Sequence, residues 1–70
     1  MPVYKVSISK SVSPEGLGSW YARKFDGFFH DPKRDATGNT FNLEVNPEDC
    51  DEVEHALASD PRVIDFQVKE

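Results

Sequence analysis

The sequence predicts a small two-layer α+β domain, a sheet of three or four strands with one face covered by one or two helices. Three observations predict it. Three segments alternate apolar and polar residues with the period of a half-buried strand. One segment, NPEDCDEVEHALASDP, repeats its apolar residues at helical spacing between a start and a stop signal. With 37% hydrophobic and 30% charged residues over a length of 70, the composition is that of one soluble globular domain spanning residues 1–70. A chain this short buries only about 60% of the surface it exposes when unfolded, so its core needs most of the large rings it has.

The first strand is VYKVSISKSV, with Tyr4, Val6 and Ile8 on one face and Lys5, Ser7 and Ser9 on the other. The stretch that follows admits two readings. Ser13 before Pro14 and Glu15 starts a helix, and Leu17, Trp20, Tyr21, Phe25, Phe28 and Phe29 keep helical spacing, which gives a helix over Pro14 to Asp26. Gly16, Gly18 and Gly27 oppose it, and FDGFF is also a hairpin signal, with Asp-Gly suited to a primed turn; the helix is the preferred reading. HDPKRDATGN is expected to be a loop, because it holds Pro32, Gly38 and short polar residues and nothing apolar longer than alanine.

TFNLEV is the next strand, with Phe41, Leu43 and Val45 inward. The helix from Pro47 to about Ser59 begins at Asn46 as cap, with Pro47 at the first helical position and Glu48 and Asp49 at the positive end of the macrodipole. Cys50, Val53 and Leu57 form its apolar stripe, and Glu48, Asp51, Glu52 and His55 lie opposite. RVIDFQV closes the chain as a strand with Ile64, Phe66 and Val68 expected inward and Val63, Asp65 and Gln67 outward. Strand, helix and strand of these lengths make a right-handed crossover within one sheet, the helix on the face of Phe41, Leu43, Ile64 and Phe66.

ALASDPRVIDFQV resembles the closing helix and strand of ferredoxin-like domains, and also the end of subtilisin-propeptide-type inhibitors. The first resemblance implies a ferredoxin-like or partial ferredoxin-like sheet. The second implies an inhibitor whose C-terminal FQVKE enters a protease active site.

Charge and motif content narrow the function. The net charge of −5 repels phosphate backbones and anionic membranes over long range and attracts basic proteins. From Asp35 to Pro61 the chain holds Asp35, Glu44, Glu48, Asp49, Asp51, Glu52, Glu54 and Asp60, with no lysine or arginine. One cysteine cannot close an internal disulfide, which points to a reducing compartment. With no signal peptide pattern in MPVYKVSISK and no apolar run near 20 residues, the expected location is cytoplasmic and off the membrane.

Catalytic signatures are missing. His30 with Asp31, and Cys50 with Glu54, lack the donors and spacing of a metal site. Glu48, Asp49, Asp51 and Glu54 around Cys50 oppose a thiolate, so Cys50 reads as a buried small hydrophobe. SPEGLGSW lacks the lysine and spacing of a phosphate cradle. The chain is expected to be no enzyme and to carry no metal or cofactor.

What remains is binding. The leading expectation is a protein-binding module, an inhibitor or regulator that occupies a surface of a larger protein with a basic surface, nucleic-acid-binding proteins included. Its contacts are expected from Glu48, Asp51, Glu52 and His55, and from the aromatic and basic residues Trp20, Tyr21, Arg23, Lys24, Lys33 and Arg34. In size and acidity the chain is similar to small phage-encoded inhibitors of host machinery, anti-CRISPR proteins included. The alternative is single-stranded nucleic-acid binding by the aromatic and basic segment 20–34, with rings stacking on bases and cations on phosphates.

Overall fold

The structure, a computed structural model, describes residues 2–69. Strand β1 (Val3–Ile8) leads to helix α1 (Pro14–Lys24), strands β2 (Phe28–Asp35) and β3 (Gly38–Glu44), helix α2 (Cys50–Ser59) and strand β4 (Val63–Lys69). The sheet order is β2-β3-β1-β4, with every neighbouring pair antiparallel. Thus β1 and β2 run parallel with β3 between them, and β3 and β4 run parallel with β1 between them. This doubled split β-α-β is the ferredoxin-like arrangement.

The core lies between one face of the sheet and the two helices. Tyr4, Val6 and Ile8 of β1 and Phe41 and Leu43 of β3 are buried against Leu17, Tyr21 and Phe25 from the α1 side and Val53 and Leu57 from α2. Each fully buried aliphatic or aromatic side chain contributes about 1.5–3 kcal/mol. The buried Tyr4 reaches past the core, its hydroxyl donating to Glu54 Oε2 at 2.7 Å, and burial pushes its phenol far above the ordinary value.

Residues 14–24 are helix, not hairpin. Ser13 Oγ accepts from the Gly16 N–H at 3.1 Å, Pro14 occupies the first turn, and the Gly27 N–H donates to the Ala22 carbonyl at 2.8 Å across a left-handed Asp26 (φ 54°). Two of the glycines that oppose a helix have packing reasons. A Cβ on Gly18 stands 2.7 Å from the Phe29 ring, so glycine lets α1 settle on β2. A Cβ on Gly27 collides with the Glu44 carbonyl oxygen, where the chain crosses the end of β3. Phe28 and Phe29, whose spacing continues the helical pattern past Asp26, begin β2.

Three further expectations are corrected. HDPKRDATGN is no loop: His30–Asp35 belong to β2 and Gly38 starts β3. Asp31 (φ 56°) and Pro32 form a bulge opposite Phe41, which is tolerated because β2 is an edge strand. Ile64 does not face inward. A register shift between Ser7 and Ile8 pairs Ile8 with Val63 and Ser7 with Asp65, which turns Ile64 out to 67% exposure and brings Val63 against the core. The helix after Asn46 opens with a 3-10 turn (Pro47–Asp49), and Asn46 caps through its backbone carbonyl, which accepts from the Asp49 N–H at 3.0 Å, and not through its side chain.

Candidate functional site

The aromatic and basic segment does not form one surface. Tyr21 is buried at the centre of the core. Arg34 reaches back over the helix face from β2 and grips Glu15 with two hydrogen bonds of 2.7 and 2.6 Å. That guanidinium holds the Glu15 carboxyl down to about 2, and both groups are committed to joining α1 to β2. Lys33 lies on the opposite, open face of the sheet, paired in register with Thr40.

Trp20, Arg23 and Lys24 stay outside on α1. Trp20 is 43% exposed and its ring stands edge-on to Tyr21, with centroids 4.8 Å apart and planes at 89°. Two cations flank it: Lys24 Nζ lies 5.4 Å from the ring centre and Arg62 Cζ 5.6 Å. Arg62 is held in turn by Asp60, with Nη2 donating to Oδ2 at 2.8 Å and Nε to Oδ1 at 2.9 Å. The Asp60 carboxyl also accepts from the Tyr21 hydroxyl and is driven well below the usual carboxylate range, first by Arg62 and then by Tyr21. The exposed ring is therefore fixed from three sides. Arg62 escapes sequence reading because α1 and the α2–β4 turn meet only in the folded chain.

The acidic ridge is assembled as expected. Glu48 in the 3-10 turn and Asp51, Glu52 and His55 in α2 are all exposed, and Val53 and Leu57 hold the opposite side of the helix in the core. Among the described residues, no ion pair neutralises Glu48, Asp51 or Glu52. Cys50 is half-buried beside Val53 and Leu57.

The open face of the sheet holds a second cluster, which sequence reading does not assemble. The strand registers set Phe28, Glu44, Val3 and Lys69 in one row, His30, Asn42, Lys5 and Gln67 in the next, and Lys33, Thr40, Ser7 and Asp65 in a third. Lys5, Lys33 and the hydroxyls of Ser7 and Thr40 line a shallow concavity of about 440 Å³, and Lys69 adjoins it. His30 Nε2 and Glu44 Oε1 are 3.6 Å apart. Among the described residues, no three histidine, cysteine or acidic side chains converge as a metal site requires, and no helix is long and apolar enough to cross a membrane.

In comparisons with protein-family models, with curated proteins and with solved structures, no match to the chain was found.

Proposed function

We propose that the chain is a protein-binding module that acts as an inhibitor or regulator by docking its helical layer on a basic surface of a larger partner. The observation that carries this reading is the ridge of three exposed carboxylates, Glu48, Asp51 and Glu52, with His55 beside them, on the 3-10 turn and helix anchored by Val53 and Leu57; among the described residues no ion pair neutralises the three acids. Placement on a packed helix matters, because carboxylates spaced by a backbone that is already ordered can offer an array of arginines charge-assisted hydrogen bonds without first losing backbone freedom. Trp20, preoriented beside Arg62 and Lys24, supplies the kind of aromatic anchor that dominates interface energies.

Affinity capture from a host extract tests the reading, using the wild-type chain beside a charge-reversed Glu48→Lys, Asp51→Lys, Glu52→Lys variant. A protein retained by the first and lost by the second supports it. Identical capture profiles from two folded chains refute it.

A second reading is favoured by the open sheet face. Lys5, Lys33 and Lys69 gather there with Phe28, which is 65% exposed, so a single strand would find cations and one ring on the same surface. In this second reading the strand would lie on the sheet face and not along Trp20 and Lys24. Inhibition by an inserted C-terminus has less support, because Phe66, Gln67, Val68 and Lys69 are paired along β1.

A further inference from the structure

The two edges of the sheet are treated differently. On β2, the left-handed Asp31, Pro32 and the resulting bulge interrupt the edge, and His30, Lys33, Arg34 and Asp35 line it with polar side chains. These are the devices by which native sheets discourage edge pairing. On β4, residues Asp65 to Lys69 run in unbroken register with β1 and contain no proline. This edge also exposes apolar side chains: Val68 is 49% exposed, Phe66 is only partly covered, and Ile64 adjoins them. The β4 edge has its own bulge at Ile64 and carries charge at Asp65 and Lys69, but between those two residues the ladder is regular and offers exposed apolar side chains to a pairing strand.

We infer that β4 is a self-pairing edge, joining two copies of the chain through antiparallel β4 strands into one continuous eight-stranded sheet. The occupant follows from the order of side chains along β4. In an antiparallel pair centred on Gln67, Asp65 of each copy lies directly opposite Lys69 of the other on the open face, and Phe66 lies opposite Val68 on the helix face. The two-fold axis thus produces two acid–base pairs and two aromatic–aliphatic pairs from a five-residue segment. A five-residue ladder is a small contact, so association is weak and concentration-dependent.

Sedimentation equilibrium over a concentration series tests this, with circular dichroism to verify that each variant is folded. The wild type is expected to dimerise with a dissociation constant below about 1 mM. Lys69→Asp sets aspartates opposite one another and is expected to weaken association at least about 10-fold, a loss that the double swap Asp65→Lys, Lys69→Asp restores. Val68→Lys, at an exposed position that tolerates the charge, is expected to leave a folded monomer. A wild type that stays monomeric up to about 1 mM overturns the inference. So does a dimer indifferent to Val68→Lys and Lys69→Asp.

Discussion

The Tyr21 hydroxyl donates a 2.6 Å hydrogen bond to Asp60 Oδ2, which ties the middle of α1 to the turn after α2. The same carboxylate orients Arg62 beside Trp20, so one acid connects core packing to the exposed aromatic anchor. Asp60→Asn is expected to lower stability by about 1.5–3 kcal/mol at neutral pH, the usual range for charge-assisted hydrogen bonds. Because folding lowers the Asp60 carboxyl below its ordinary 3.8, its contribution is complete above that value and is lost as pH falls through it toward the folded-state value. Urea unfolding of both proteins at neutral pH and near pH 3 checks this, and the difference between them should shrink at the lower pH.

Gly18 sets the spacing between α1 and β2. Gly18→Ala gains helix propensity of about 1 kcal/mol but drives a methyl into the Phe29 ring, and the expected net effect is a loss of about 1–3 kcal/mol. Adding Phe29→Ala should make the alanine at 18 neutral or favourable. A double-mutant cycle by thermal unfolding measures that coupling.

Asp26 holds a left-handed conformation (φ 54°) after the last turn of α1, where glycine is the preferred residue. Asp26→Gly is expected to raise stability by about 0.5–1 kcal/mol, read as an increase in melting temperature. It is a surface change, and binding should be unaffected.

These contacts mark where sequence reading stops. The alternation of Tyr4, Val6 and Ile8, and of Phe41 and Leu43, comes from local burial on one sheet face, and it identifies β1 and β3 directly. Strand β2 hides because its inward position after Phe29 is Arg34, an apolar site replaced by an ion pair to Glu15 that exists only once α1 lies above it. Its bulge at Asp31 and Pro32 also breaks the period. Likewise Ile64 and Val63 exchange faces through a register shift that no side-chain pattern announces. The acidic ridge is local to one helix and so is readable, whereas the lysines of the open face come from three strands and are not.

Nucleic-acid binding on the sheet face predicts salt-sensitive anisotropy changes with a fluorescent single-stranded oligonucleotide. Binding should fall when Lys5, Lys33 and Lys69 become glutamine and survive Trp20→Ala. No binding at low salt removes that reading.

Trp20 should act after encounter. Once a protein partner is in hand, Trp20→Ala is expected to speed dissociation at least about 10-fold with little change in association rate or melting temperature.

If the α2 ridge steers this chain onto a basic protein surface, the association rate responds to the ridge charges directly. With the captured partner purified, stopped-flow association is measured for the wild type and for Asp51→Lys, Glu52→Lys across a range of salt concentrations. Fast wild-type association that slows as salt rises is expected, with at least about a tenfold slower rate for the reversed chain at low salt. Equal rates for two folded proteins at low salt would contradict it.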